Sequence, residues 1–294
     1  MDASTRRQRL RRLLHGAQTV IVPAVFDAVS ARLAEMAGFE VALLSGSVTA
    51  ATLHAVPDLV LVTLTEVAQV AKRVVDATSL SLLVDADHGF GNALNVMRCV
   101  RELERAGVAA LTLEDTDLPR PYGTRGPTAI SIQEMCGKLR AAVAARQDPE
   151  LVLIGRTDTL RYRGLEEALA RAKAYAETGV DALFVAGAQR REELEALRAA
   201  LPLPLIASGL PQPEDGKSGL QVLQDLGYPL TLLAAVPFRV AVQAMHEALA
   251  YLKAHGEPGP FAARMAPAAL LEEVVRAAQY AAYQQRFLQD EAGL

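Results

Sequence analysis

Short apolar runs alternate with amphipathic stretches along nearly the whole chain. The runs at Val20–Phe26, Val41–Ser45, Leu80–Asp85, Ala109–Glu114, Leu151–Arg156, Ala182–Ala186, Leu203–Ala207 and Leu230–Ala234 predict eight strands. Their length and apolar content suit strands buried on both faces. Between them, helical spacing predicts helices near Ala31–Ala37, Leu64–Ala77, Asn92–Ala106, Ile132–Arg146, Leu165–Thr178, Glu192–Ala200 and Gly219–Leu226, with an eighth at Arg239–Ala254. Gly38, Gly107, Gly179 and Gly227 each close a helical pattern just before a strand, where a left-handed C-cap favours glycine. The unit of helix, glycine, strand and polar turn recurs about every 35 residues, and eight such units close a (β/α)8 TIM-type barrel. An open doubly wound sheet is the alternative, but no Gly-x-Gly-x-x-Gly follows the first strand.

The pattern breaks at Gly256-Glu257-Pro258-Gly259-Pro260, and a further helix is predicted over Ala269–Phe287. Leu270, Leu271, Val274, Val275, Tyr280, Tyr283 and Phe287 give it a broad apolar surface that needs a partner. The expectation is a single domain, with a barrel over about 18–255 and a C-terminal extension over about 260–294. The extra helix would pack on a neighbouring subunit, giving a homodimer or homotetramer, or else fold back onto its own barrel.

Composition narrows the function classes. The chain has 294 residues, of which 51% are hydrophobic and 22% charged, and a formal net charge of −4. That balance argues against a nucleic-acid partner. The basic run from Arg6 to Arg12 reads as the solvent side of a first helix, with Leu10, Leu13 and Leu14 on its other face. It lacks the apolar stretch and cleavage site of a signal peptide, and no apolar run reaches the roughly 20 residues that span a membrane. Two cysteines, Cys99 and Cys136, fit neither a metal-ligand spacing nor a disulfide framework, which suits a reducing cytoplasm.

The candidate chemistry gathers where the strands end. The stretch Leu82-Leu83-Val84-Asp85-Ala86-Asp87-His88-Gly89-Phe90-Gly91-Asn92 leaves a buried strand with two carboxylates two residues apart, hence on one face. Such a pair resists burial unless protons or a cation compensate, and Mg²⁺ is the hard cation that prefers carboxylate and water oxygens. The neighbouring strand ends add Ser45-Gly46-Ser47, Glu114-Asp115-Thr116 and Arg156-Thr157-Asp158, with Asp58 in the loop after the second strand. In a barrel these ends share one rim. Arg156 could grip a substrate carboxylate bidentately, and the backbone amides around Ser45, Gly46 and Ser47 could hold another anionic group. Asp115 and Asp158 could also be simple helix caps, and His88 could either support the carboxylates or cap its turn.

The set Leu44-Ser45-Gly46-Ser47, Asp85-Ala86-Asp87-His88-Gly89-Phe90-Gly91-Asn92, Glu114-Asp115-Thr116 and Arg156-Thr157-Asp158 resembles the isocitrate lyase/phosphoenolpyruvate mutase superfamily over about residues 18–190. The resemblance implies a barrel with a domain-swapped terminal helix, usually a tetramer. It also implies a Mg²⁺ site, with Mn²⁺ as a substitute, and 2-oxo acid substrates that react through a pyruvate enolate. By matching position, Asp85 would hold the metal directly, Asp58, Asp87 and Glu114 its waters, and Ser47 and Arg156 the substrate.

The loop Leu118-Pro119-Arg120-Pro121-Tyr122-Gly123-Thr124-Arg125-Gly126 lacks the cysteine and histidine of isocitrate and methylisocitrate lyases. It also lacks the asparagine motif of the phosphonate-forming mutases. The run from Asp85 to Arg98 looks most like the oxaloacetate decarboxylase branch. Against that branch, no tyrosine follows the seventh strand and no histidine follows the eighth, so a changed substrate side is expected. The reading is therefore a Mg²⁺-dependent lyase of a small 2-oxo di-acid, oxaloacetate first. The alternatives are a methylisocitrate- or dimethylmalate-type lyase, a phosphonate-linked mutase or hydrolase, and a barrel that binds metal and anion without efficient catalysis.

Overall fold

The eight apolar runs form eight parallel strands: β1 (Val20–Val25), β2 (Val41–Leu44), β3 (Ser81–Asp85), β4 (Ala110–Glu114), β5 (Val152–Thr157), β6 (Ala182–Val185), β7 (Leu205–Ala207) and β8 (Leu230–Leu233). Each pairs with its neighbour in sequence, and β1 pairs with β8, so the sheet closes. This is the predicted barrel, and closure excludes the open sheet. The description comes from a computed structural model and covers residues 1–214 and 216–288. The chain divides into two compact units, Met1–Phe238 and Arg239–Leu294.

The helices of the first unit are α1 (Ala3–Leu14), α2 (Ala28–Met36), α3 (Gly46–His54), α4 (Leu64–Ala77), α5 (Ala93–Arg105), α6 (Ile132–Ala145), α7 (Leu160–Arg163), α8 (Leu165–Ala176), α9 (Arg191–Ala200) and α10 (Gly219–Asp225). Strand period separates two cores. Leu82 and Val84 of β3 point outward and pack with helix residues such as Val70, Val96 and Leu103. Leu83, Ala110, Val152, Ile154, Phe184 and Ile206 point inward and fill the barrel. The predicted C-cap glycines all have positive φ, Gly38 at 89°, Gly107 at 87°, Gly179 at 91° and Gly227 at 73°.

The basic run of α1 does not face solvent as expected. Arg6 and Arg7 are buried, and Leu10 and Leu14 join the barrel-interior cluster. Arg6 donates to the carbonyls of Val75 and Thr78, Arg7 to those of Glu104 and Val108, and Arg11 to Glu150 and Leu151. These carbonyls lie where helices end and strands begin, so α1 closes the N-terminal end of the barrel. Backbone acceptors that would otherwise be buried unpaired explain why arginine sits there.

In the second unit, α11 (Val236–His255) enters from the first, followed by a 3₁₀ turn (Gly259–Arg264), α12 (Ala268–Val274) and α13 (Ala277–Leu288). The expected single helix over Ala269–Phe287 is broken at Arg276, whose φ is 57°. The exposed apolar surface extends beyond that helix. α11 has no buried residue and exposes Val240, Met245 and Leu249, alongside Leu271, Tyr280 and Phe287 further on. No helix among the described residues is long and apolar enough to cross a membrane.

Candidate active site

The inward rows of the barrel end in charge. On β3 the inward face reads Leu83 then Asp85, on β4 Ala110, Thr112, Glu114, and on β5 Val152, Ile154, Arg156. Register fixes the neighbours: Asp85 lies beside Thr112, Glu114 beside Arg156, and Arg156 beside Phe184. The side chains follow. Thr112 Oγ1 donates to Asp85 Oδ1 at 3.1 Å, and the Arg156 guanidinium lies 5.4 Å from the Phe184 ring centre. A largely apolar interior thus carries a polar rim at the C-terminal mouth, where barrel enzymes keep their chemistry.

Arg156 gathers the rim. Its Nη1 reaches both oxygens of Asp85 at 3.0 Å, its Nη2 reaches Glu114 Oε2 at 2.7 Å, and its Nε reaches Asp158 Oδ1 at 2.7 Å. Nη2 also donates to Asp158 Oδ2 at 3.1 Å. Burial works against its charge, but Asp85, Glu114 and Asp158 together outweigh burial and hold its pKa well above the ordinary value. The fork expected to meet a substrate carboxylate is here paired with the carboxylates of Asp85, Glu114 and Asp158. Asp158 is no helix cap; it braces Arg156.

The remaining carboxylates repel one another. Burial, and then the charges of Asp85 and Glu114, raise Asp87 well above the usual carboxylate range. Burial pushes Glu114 up to about 7, with Asp158 and Asp85 adding to it and Arg156 opposing. Asp58 is raised by burial and by Asp85. Asp87 itself has φ 46°, a left-handed conformation that turns its carboxylate toward the first residue of α3. There Gly46 makes room: a Cβ on it would lie 2.7 Å from Asp87 Oδ1.

Asp58, Asp85, Asp87, Glu114 and Arg156 line one cavity of about 650 Å³, walled also by Leu59, Val60, Leu118, Pro119 and Pro127. The predicted segment Ser45-Gly46-Ser47 stands just behind the carboxylates, with the two serine hydroxyls bonded to each other at 3.1 Å. Asp115, the other suspected cap, is wholly buried and accepts from Tyr175 Oη at 2.7 Å and Arg171 at 3.2 Å, so it anchors the fold. His88 is buried with an unpaired Nδ1 and lies 6.1 Å from the Phe90 ring. Burial, then Lys138, lowers its pKa to about 4, which keeps it neutral. The β8 exit, Leu233-Ala234-Ala235, carries no histidine. Sequence reasoning missed Thr112, which one more step of the strand period reveals, and Arg161 of the one-turn helix α7, which gives no periodic signal.

Among the described residues, no three His, Cys, Asp or Glu side chains form a ready-made metal cage. The donor set fits a hydrated hard cation instead. Such an ion takes one or two carboxylates and completes its shell with water and substrate oxygens. Crowded carboxylates with raised pKa values, and the room left at Gly46, are what such an ion would meet.

A closed barrel with acids and an arginine gathered on its C-terminal rim has the layout of a barrel enzyme. The family model for phosphoenolpyruvate phosphomutase matches residues 10–253, and the chain belongs to that family. It is 43% identical over 278 residues to an oxaloacetate decarboxylase of Rhodopseudomonas palustris (strain BisB18), covering 95% of each chain. Among solved structures, it resembles a phosphoenolpyruvate phosphomutase from Streptomyces platensis subsp. rosaceus with TM-score 0.87 at 29% identity, over 96% of this chain and 99% of that one. It resembles phosphonopyruvate hydrolase, solved with oxalate and Mg²⁺, with TM-score 0.86 at 27% identity, over 98% of this chain and all of the other. The protein is an enzyme, a carbon–carbon lyase of this superfamily, as the strand-end motifs implied.

Proposed function

We propose that the protein decarboxylates oxaloacetate to pyruvate with the help of Mg²⁺. The observation that carries the reading is the cavity at the barrel mouth that Asp58, Asp85, Asp87, Glu114 and Arg156 line together, with Arg156 paired to Asp85 and Glu114. The relatives named oxaloacetate decarboxylase, and the oxalate and Mg²⁺ of the phosphonopyruvate hydrolase structure, support it.

In the reaction the C3–C4 bond breaks. Its electron pair forms the C2–C3 double bond while charge moves onto the C2 oxygen, and CO₂ departs. The enolate then gains a proton at C3. A bound Mg²⁺ would supply stabilisation of the charge on the C2 oxygen. Asp85 would hold it most directly, with Asp58, Asp87 and Glu114 toward its waters. Arg156 fixes Asp85 and Glu114 in orientation, and Thr112 supports Asp85 from below. Leu59, Val60, Leu118 and Pro119 add apolar side chains to the cavity wall beside the charged rim. No protein base is required to start such a step, which agrees with a neutral His88; the missing histidine after β8 remains a departure from the oxaloacetate decarboxylase branch on the substrate side.

The test is a panel of 2-oxo and 2-hydroxy di-acids, with Mg²⁺ and with EDTA, monitored for pyruvate and for CO₂. Equal pyruvate and CO₂ from oxaloacetate, abolished by EDTA, is expected. Pyruvate from a larger acid without CO₂ assigns the protein to aldol-type cleavage instead.

We also propose that the exposed apolar residues of α11, α12 and α13 are covered by a second copy, in a homodimer or homotetramer. Light scattering that finds a monomer at micromolar concentration refutes this. Buried, unpaired Cys99 and Cys136 support a reducing, cytoplasmic location.

A further inference from the structure

The cavity wall carries a second arginine with very different commitments. A guanidinium has five N–H donors. Those of Arg156 meet five carboxylate contacts on Asp85, Glu114 and Asp158. Arg156 is thus tied to three carboxylates, of which Asp85 and Glu114 also serve the proposed metal site. Arg161, on α7, has one contact, Nη1 to Asp158 Oδ2 at 3.4 Å, on an oxygen that Arg156 already shares. Its side chain is 55% exposed. Its position is nevertheless defined. The stem lies against Gly187, in the loop after β6, where a Cβ would come within 2.7 Å of Arg161 Cγ and 3.0 Å of Nε. Gly187 has φ 92°, so glycine serves there both for the backbone and for the arginine's passage. Asp158 thus links an arginine paired with three carboxylates to one with open donors, both on the wall of the same cavity.

A 2-oxo di-acid brings two negative charges to this cavity. The 2-oxo and adjacent carboxylate oxygens belong with the metal-binding acids. The distal carboxylate, among Asp58, Asp85, Asp87 and Glu114, needs a cation with free donors. Resting on the reading of the protein as a 2-oxo di-acid lyase, we propose that Arg161 binds the distal carboxylate of the substrate and sets the preference for di-acids over mono-acids. In oxaloacetate that carboxylate is the one that leaves as CO₂. Its charge drains into the C2–C3 bond as the C3–C4 bond breaks, so a guanidinium on it stabilises the ground state more than the transition state. Such a contact lowers KM without raising kcat.

The experiment uses the full chain with Mg²⁺ and compares wild type, Arg161→Met and Arg161→Lys. For Arg161→Met, KM for oxaloacetate should rise about tenfold, the scale of one lost charge-assisted contact, with kcat unchanged or higher. Arg161→Lys should recover most of the KM, because it keeps the charge. Inhibition by oxalate, which ends where the distal carboxylate would begin, should stay within about twofold of wild type. An unchanged KM in Arg161→Met overturns the proposal. So does a fall in kcat at constant KM, or an oxalate inhibition that weakens as much as KM rises. If the wild type fails to turn over oxaloacetate, the functional reading falls by itself, and calorimetry decides on Arg161. Binding of di-acids over pyruvate that disappears in Arg161→Met supports the role. A preference that survives the substitution, or no binding of either ligand class to wild type, overturns it.

Discussion

Arg156→Met tests the architecture of the rim most directly. Methionine nearly matches the stem in volume but removes the cation that Asp85, Glu114 and Asp158 share. The three ion pairs have closest approaches of 3.0, 2.7 and 2.7 Å, and the side chains are only 8% to 17% exposed. Breaking a buried pair by deleting one partner costs about 3–5 kcal/mol, because the partner charge stays behind without compensation. Here three carboxylates stay behind, but Glu114, already pushed up to about 7, can take up a proton, and each unit of pKa so gained relieves about 1.4 kcal/mol. Losing Arg156 removes the charge that opposes the burial-raised pKa of Glu114, which climbs further. An acid raised on folding contributes stability at low pH that is lost as pH climbs through its folded pKa. The destabilisation should therefore be small at about pH 5 and reach about 3–5 kcal/mol at about pH 8. Urea unfolding of wild type and variant in EDTA, followed by far-ultraviolet circular dichroism, measures both values. A loss below about 1 kcal/mol at the higher pH is what a surface pair gives and would refute the reasoning. A loss that does not vary with pH would refute it as well.

Further outcomes follow from the same geometry. Gly46→Ala drives a methyl into Asp87 Oδ1, so turnover should fall about 100-fold while the unfolding midpoint barely moves, read by pyruvate release and by melting. Glu114 sits at about 7, above the ordinary 4.5, so its share of metal-free stability is present below pH 4.5 and lost as pH rises through 7. Glu114→Gln should flatten that part of the stability–pH curve, and an unchanged slope would count against the assignment. Leu10→Ala, wholly buried where α1 meets the barrel interior, should cost about 2–5 kcal/mol in urea unfolding without changing KM.

Much of the barrel was legible in the chain because its signals are local. Strand runs such as Leu80–Asp85, and glycines such as Gly107 and Gly179, need only a few neighbours to be recognised. The rim carboxylates were legible for the same reason: Asp85 and Glu114 end apolar runs, and the strand period aims them inward. What stayed hidden depends on distant partners. Arg6 and Arg7 read as solvated because nothing nearby announces the carbonyls of Thr78 or Val108. Asp115 looked like a cap, since its partners Arg171 and Tyr175 lie more than fifty residues on. The break at Arg276 has no proline or glycine to mark it. Arg161 sits in a single helical turn, too short for periodicity, and its position is defined by Gly187, which belongs to another loop.

The closing helix α1 carries a consequence for how the molecule is made. It precedes every strand of the barrel in the chain, yet its partners lie far behind it: Val75 is 69 residues on, Val108 is 101, and Asp181 is 170. A nascent chain therefore presents a free arginine-rich helix, with Leu10 and Leu14 uncovered, until the sixth strand has been synthesised. Contacts of such long sequence separation form late and slowly. A helix made before the whole barrel is thus late to find its seat, and its docking closes the end of the barrel opposite the chemistry.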